Sequence, residues 1–128
     1  MVDTGSFRID FDIEGNHLNY TDANTRRARV LARLQARYPQ MYVSFTLPGW
    51  FYGIDNRSLE LVKLNKANGV RVDMFNIMTQ SFGSEINNFA GGSLGQGSVI
   101  TMKATMNQLK GIFGYSDRRC TRSWVFAL

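Results

Sequence analysis

The stretch that decides the fold is Phe7 to Gly15, "FRIDFDIEG". Taken two residues at a time, it separates into an apolar face and a polar face, which is the pattern of a half-buried β-strand. The apolar face carries Phe7, Ile9, Phe11 and Ile13, and the polar face carries Arg8, Asp10, Asp12 and Glu14. Solvated strand faces usually mix charges of both signs, so three acids on one face raise the question of a chemical role.

The rest of the chain alternates helical and strand patterns. Apolar spacing predicts helices at about 21–38, 57–68 and 98–113, and apolar or β-branched runs predict strands at 41–47, 70–79 and, as a strand start, 123–128. Pro48 is expected to end the second strand, and the glycine-rich segment 81–97 is expected to be a flexible loop. The near-continuous apolar character of 70–79 suits a strand covered on both faces. This alternation predicts an α/β fold with a parallel sheet or barrel.

Two helices have apolar stripes in the sequence. In the first helix the stripe consists of Ala23, Val30, Leu31, Leu34 and Tyr38, and in the last helix it consists of Val99, Met102, Met106, Leu109 and Phe113. Residues at this spacing lie on one side of a helix, so both stripes are expected to face the core.

Length and composition limit the classes of protein to which the chain can belong. The chain has 128 residues, 44% of them hydrophobic, which is enough for one modest core and predicts one domain or a piece of one. No apolar run approaches the roughly 20 residues that span a membrane, and "MVDTGSF" lacks a secretory pattern, so no membrane partner is expected. Cys120 is the single cysteine, which excludes an internal disulfide framework and a cysteine-rich zinc site.

The net charge of +5 is concentrated in two arginine clusters. They are Arg26, Arg27, Arg29, Arg33 and Arg37 in the first helix, and Arg118, Arg119 and Arg122 near the end. A basic nucleic-acid-binding domain is therefore one interpretation. Within the first cluster, however, Arg26, Arg29, Arg33 and Arg37 form a stripe on an amphipathic helix with no interleaved aromatic residues, which favours a solvated face and no nucleic-acid partner.

The three acids can be interpreted chemically. Same-face residues on a strand lie roughly 6.5 Å apart, and at an effective dielectric of about 20 two unit charges there repel by roughly 2.5 kcal/mol. That repulsion favours a state in which one carboxyl keeps its proton, as a general acid in glycoside cleavage must. Two alternatives stay open: an exposed polar face, or a Mg²⁺ or Ca²⁺ site, although the chain has neither a phosphate-binding loop nor EF-hand spacing. We expect no metal and no cofactor.

The stretch "IDFDIEG" resembles the fourth-strand motif of glycoside hydrolase family 18, the chitinases and their relatives, which reads Asp-x-x-Asp-x-Asp-x-Glu. Further along, "VSFTLP" is similar to the fifth strand, "NGVRVDMFNIMT" to the sixth, and "LGQGSVITMKATMNQLKGIF" to the helix that follows in the bacterial and archaeal branch. The resemblance therefore covers nearly the whole chain. It implies that residues 1–128 form part of a (β/α)8 TIM-barrel catalytic domain, from about the fourth to the sixth β/α unit.

The resemblance also implies chemistry. The family cleaves β-1,4-linked N-acetylglucosamine polymers such as chitin with retention, through attack by the substrate's own acetamido oxygen, and it is an exception to the two-carboxylate rule. By motif position Glu14 would be the general acid and base, Asp12 would orient the acetamido group, and Asp10 would tune Asp12. The partners implied are chitin or its oligosaccharides, and the location implied is extracellular.

Other positions agree with the family or depart from it. Met78 matches a methionine at the floor of the family's site, whereas Gln80 and Ser81 stand where this branch tends to have a Met-Asp-Tyr ending; all three are candidate substrate-binding residues. Trp50 could stack on a sugar ring or simply cover a neighbouring helix. Phe7 and Arg8 replace the first aspartate of the motif and the small residue after it.

A complete barrel needs about 250 residues, so the resemblance predicts that the isolated chain is truncated and has little or no activity. The alternative function is a non-catalytic chitin- or carbohydrate-binding relative, which Arg8, Gln80 and Ser81 favour and the three acids oppose.

Overall fold

The structure is a computed structural model that describes residues 7–114 and the backbone of 125–127. The strands are β1 Arg8–Asp12, β2 Tyr42–Trp50, β3 Gly53–Ile54, β4 Met74–Met78 and β5 Val125–Ala127. The helices are α1 Thr21–Arg37, α2 Asn56–Ala67, α3 Ile86–Ala90 and α4 Leu94–Phe113, with 3₁₀ turns at Gly15–Asn19 and Gly83–Glu85. Cys120 and the second arginine cluster lie outside these residues. Within them, no helix has the length and apolarity needed to cross a bilayer.

Four strands form a parallel sheet in the spatial order β1-β2-β4-β5, and β3 pairs antiparallel with the end of β2. The mixed sheet and its helices confirm the predicted α/β class. In the register of the sheet Asp10 lies beside Ser44, Asp12 lies beside Thr46, and Thr46 lies beside Asn76. The strand that follows α1 therefore runs parallel to β1, as the alternation of elements predicts.

The helices pack on one face of the sheet and enclose the main core. Its fully buried side chains include Phe45 and Leu47 of β2, Phe75 and Ile77 of β4, and Leu109 of α4. The other face carries the polar residues of β1, β2 and β4. Successive side chains of a strand point to opposite faces of the sheet. Residues two positions apart therefore lie on the same face, either in the core or on the polar side.

The buried faces of α1 and α4 differ from the predicted stripes. α1 buries Asn24, Ala28, Leu31 and Gln35, and α4 buries Gly97, Thr101, Thr105 and Leu109. Val30 and Val99, which were expected in the core, are 53% and 51% exposed. The buried face of α1 is shifted because it includes side-chain amides that hydrogen-bond to backbone groups. Gln35, for example, donates to the Arg71 carbonyl at 2.8 Å and accepts from the Arg71 N–H at 2.9 Å.

In α4 the rotation follows from close packing on β2. A Cβ atom at Gly49 would approach Cγ2 of Thr101 to 2.8 Å and would collide with Ile77. Small residues at this crossing let the helix approach the strand more closely than a stripe of methionines would.

The predictions for β2 and β4 were also partly wrong. β2 continues through Pro48 to Trp50, because the antiparallel pairing of Trp50 with Gly53 extends it into a tight hairpin. β4 alternates between buried and half-buried residues along Met74–Met78 instead of being covered on both faces, since its second face lies on the polar side of the sheet.

The glycine-rich segment 81–97 is not a simple loop. It contains a 3₁₀ turn, the short helix α3 and the first turn of α4, where the Ser93 hydroxyl accepts from the Gln96 N–H at 3.3 Å. Gly91 ends α3 with φ +56°, a conformation that glycine adopts without strain. The segment packs a second apolar cluster of Phe51, Phe82 and Ala90 against the β2–β3 hairpin.

Candidate active site

Asp10 is fixed by donors from two neighbouring strands. The Thr46 hydroxyl donates to one carboxylate oxygen at 2.8 Å, and the Ser44 hydroxyl donates to the other. The Asn76 side-chain amide donates to Asp10 at 3.2 Å and to the Thr46 hydroxyl at 3.4 Å. Ser44 and Thr46 are buried, so the network is anchored in the sheet. Asp10 therefore acts as an acceptor with a fixed orientation.

Asp12 and Glu14 follow on the same side of β1. The Ile13 N–H donates to the Thr46 carbonyl at 3.0 Å and continues the parallel ladder past Asp12, and the Glu14 carbonyl accepts from the His17 N–H at 3.1 Å. Glu14 thus lies where the strand meets the 3₁₀ turn, at the carboxyl end of the sheet. All three acids are exposed, so water screens the repulsion that their spacing predicts. Residues 7–114 hold no group of three or more His, Cys, Asp or Glu side chains suited to a metal ion.

A cleft of about 190 Å³ adjoins Glu14. Trp50 and Tyr52 of the β2–β3 hairpin form one wall, and Asp55 and Arg57 at the start of α2 form another. Glu14 and Trp50 are 36 positions apart in the sequence, and the hairpin brings them to one cleft. The cleft therefore combines carboxylates, a guanidinium and two aromatic rings at the carboxyl end of the parallel strands.

Asp55 and Arg57 form the charged wall of this cleft. Burial raises the pKa of Asp55, but hydrogen bonds from the Ser58 N–H at 2.8 Å and from Arg57 at 2.8–2.9 Å together hold it below the ordinary value. Arg57 also donates to the Gly15 carbonyl at 3.4 Å, directly after Glu14. The ion pair therefore ties the start of α2 to the turn that carries Glu14.

The Trp50 ring has a fixed orientation. Its indole N–H donates to the Glu85 carboxylate at 3.0 Å, and its ring packs edge-on against Phe51 and Phe82 at centroid distances of 5.7 and 5.8 Å. The two interpretations of Trp50 in the sequence are thus not exclusive, since one edge covers an apolar cluster while the half-exposed ring lines the cleft.

The remaining predicted site residues lie on and after β4. Met78 is half-buried and pairs with Pro48, which itself lines the cleft with Glu14. Gln80 and Ser81 come just after the strand and are exposed. The structure therefore places Met78 one strand away from the cleft wall, whereas the roles of Gln80 and Ser81 stay predictions.

Sequence reasoning missed several residues of the site. Ser44, Thr46 and Asn76 hold Asp10, and Tyr52 and Arg57 line the cleft. The alternation within "YVSFTL" and "MFNIM" contained a signal for the first three, because it puts small polar side chains on the face opposite to the core. Their contact with Asp10 depends on the register between strands, which the sequence alone does not give.

The structure defines an α/β protein whose candidate active site is a row of carboxylates at the carboxyl end of its parallel strands. No protein-family profile and no curated protein matches the chain. Its fold is similar to that of solved chitinase structures. One is the catalytic domain of the hyperthermophilic chitinase from Pyrococcus furiosus, with a TM-score of 0.76 and 23% sequence identity over 96% of this chain and 38% of that chain.

Catalytic-site mutants of active domain 2 of the chitinase from Pyrococcus furiosus are similar in fold as well, with a TM-score of 0.76, 22% identity, and coverage of 97% of this chain and 38% of that one. Such mutants complexed with chito-oligosaccharides give a TM-score of 0.74 at 22% identity, with coverage of 96% and 38%. At this identity the likeness shows the fold alone. The chain spans 38% of the length of each of these structures.

Proposed function

We propose that the chain is part of a chitinase-like glycoside hydrolase that cleaves β-1,4-linked N-acetylglucosamine polymers. In this proposal residues 1–128 are a portion of a family 18 (β/α)8 barrel, from about the fourth to the sixth β/α unit, and the complete protein acts outside the cell. The fold likeness to chitinase catalytic domains supports the proposal.

The observation that carries the proposal is the row formed by Asp10, Asp12 and Glu14 at the carboxyl end of a parallel strand, with Asp10 fixed by two neighbouring strands and Glu14 at a cleft. Enzymes of barrel type place their reacting groups at this end of the strands. If this face were only solvated, water could satisfy the Asp10 carboxylate, and the three hydrogen bonds that it accepts from side chains of the sheet would not be needed.

The proposed reaction assigns one role to each acid. Glu14 donates a proton to the glycosidic oxygen as the bond to the anomeric carbon breaks, and the substrate's acetamido oxygen attacks that carbon. Asp12 orients the acetamido group and stabilises its positive charge, while Asp10 tunes Asp12. Glu14 then takes a proton from the water that opens the cyclic intermediate, so that its own protonation state is restored.

The substrate contacts in this proposal are those that the sequence resemblance implies. Met78 would line the floor beside Pro48, Gln80 and Ser81 would hydrogen-bond the sugar at the end of β4, and Trp50 would stack on a pyranose ring. The exposure of the acids also favours a second candidate, a non-catalytic chitin-binding relative, because such a protein needs contact with sugar but no dry site.

The test combines binding and cleavage. The purified chain is titrated with a hexasaccharide of N-acetylglucosamine by calorimetry, and products of a long incubation are separated by chromatography. We expect binding with slow cleavage, which Glu14→Gln reduces by about a hundredfold or more while leaving affinity intact. Glu60→Gln, the same change on the exposed face of α2, is the matched control and should alter neither measurement.

Cleavage that Glu14→Gln abolishes is expected of the enzyme and not of the non-catalytic relative, which should bind the hexasaccharide with or without this substitution. Absence of binding, or cleavage that survives Glu14→Gln, would contradict the proposed enzyme.

A further inference from the structure

A second groove, of about 550 Å³, lies beside the Glu14 cleft. It is lined by Trp50, Phe51, Tyr52, Glu85 and Phe89. Trp50 and Tyr52 also line the Glu14 cleft, so the same two rings form a wall of both hollows. A long ligand bound at Glu14 would therefore meet this groove as it leaves the cleft on the hairpin side.

The groove exposes aromatic surface. Tyr52 is 64% exposed and Phe89 is 57% exposed. Phe89 stacks on Phe51 at 4.7 Å with an interplanar angle of 21°, and Phe51 stacks on the buried Phe82 at 4.5 Å with an angle of 25°. Phe89 is thus the outermost ring of a three-ring stack, and more than half of its surface is open to solvent.

This geometry fits a sugar ring. A pyranose of the gluco type has faces of C–H bonds, which match the negative face of an aromatic ring, and a rim of hydroxyl groups that need polar partners. Glu85 supplies such a partner, because one of its carboxylate oxygens accepts from the Trp50 indole while the residue as a whole is exposed. A carboxylate has several acceptor positions, so it can also accept from a hydroxyl group.

We propose that this groove is a second sugar subsite, in which Phe89 and Tyr52 stack on an N-acetylglucosamine unit of the same oligosaccharide whose cleaved bond lies at Glu14. The inference rests on the proposed function and extends it to two residues outside the acid motif. Glu85 holds the Trp50 ring in the wall between the two hollows and keeps acceptor positions for a hydroxyl group of the sugar.

The test measures hexasaccharide affinity of the complete 128-residue chain by calorimetry. Phe89→Leu keeps an apolar side chain against Phe51 but removes the aromatic face, and Tyr52→Ala removes the second ring. We expect each to raise Kd about tenfold, equivalent to about 1.4 kcal/mol. Phe89→Tyr retains a ring and should bind within about twofold of the unchanged chain.

Tyr38→Leu is the matched control for loss of an exposed ring, because Tyr38 follows α1 and lies at the amino ends of the strands, opposite to the groove. Circular dichroism melting of every variant separates loss of the subsite from loss of folding. Phe89 lines the groove and not the Glu14 cleft, whereas Tyr52 lines both, so Phe89 decides the test. If Phe89→Leu binds within about twofold of the unchanged chain, or if Phe89→Tyr loses as much as Phe89→Leu, the subsite is overturned while the proposed function stands. A chain that binds no hexasaccharide at all overturns both.

Discussion

At the scale of single residues, the orientation of Asp10 in the acid row depends on hydrogen-bond partners that carry no charge. Asp10, Asp12 and Glu14 could be predicted to share a face because the strand period is two. The hydroxyls and the amide that hold Asp10 come from strands 34 to 66 residues further along the chain. Alternation indicated that these side chains face away from the core, but only the register of the sheet brings them to one carboxylate.

Removing one hydroxyl from this network should therefore destabilise the fold. Thr46→Val keeps the side-chain shape and deletes the donor to Asp10 at 2.8 Å. We expect a loss of about 1 kcal/mol in the free energy of unfolding, because Asp10 is exposed and water replaces part of the lost bond. Urea denaturation followed by circular dichroism measures the difference.

Thr101→Val is the matched control. The Thr101 hydroxyl is buried in α4 and has no hydrogen-bond partner among the residues described, so its replacement by a methyl group should be neutral or stabilising. Equal losses in the two variants would show that the substitution itself, and not the contact with Asp10, lowers stability.

At the scale of elements, the sequence predicted where helices lie better than which side of each is buried. The α1 helix was placed within one residue of its end, yet its buried face includes the amides of Asn24 and Gln35. A prediction from apolar spacing leaves out polar side chains that are buried because they hydrogen-bond to backbone groups. Asn24 is one of these, since its side-chain amide donates to the His17 carbonyl at 3.2 Å. Tertiary hydrogen bonding therefore decided the rotation of the helix.

The stability of α2 should depend on pH, because a carboxylate caps its first turn. The Asp55 carboxylate caps the helix by accepting from the Ser58 N–H at 2.8 Å, and its pKa is lowered because these hydrogen bonds and Arg57 outweigh the opposing effect of burial. A lowered folded-state pKa means that the stabilisation is fully present above the unfolded value of about 3.9 and is lost as pH falls through the folded value. Asp55→Ala should therefore cost about 1 kcal/mol at pH 7.

The cost should shrink as pH falls below about 4, because the unfolded chain takes up a proton at Asp55 before the folded chain, whose pKa is lowered, does so. Urea unfolding at pH 7 and at pH 3 measures both values. Asp22→Ala in the first turn of α1, where no side-chain cap bond forms, is the control and should cost less at pH 7. A cost for Asp55→Ala that does not change with pH would contradict the role of the charge.

At the scale of the whole molecule, the order of strand motifs predicted the α/β class and the parallel pairing of β1 with β2. It did not predict the β2–β3 hairpin or the folded segment between β4 and α4, because both depend on aromatic contacts between distant residues. Phe51 and Phe82 stack across 31 positions of the chain, for example. The hairpin forms a wall of both hollows and the segment adds Glu85 and Phe89 to the second groove, so the site was less predictable than the sheet that supports it.

The last prediction concerns the activity of the isolated 128-residue chain. Its acids are exposed, and the cleft at Glu14 measures about 190 Å³, below the roughly 300 Å³ at which ligand pockets usually begin. Hydrogen-bond donors and charges stabilise a transition state far less in water than in a closed site of low dielectric. We therefore expect kcat on a fluorogenic chitobioside to lie well below about 1 per second, the lower end of typical enzyme values. Glu14→Gln measured in parallel separates this slow reaction from a contaminating enzyme, and a kcat near or above that value that depends on Glu14 would prove that the exposed site is already sufficient.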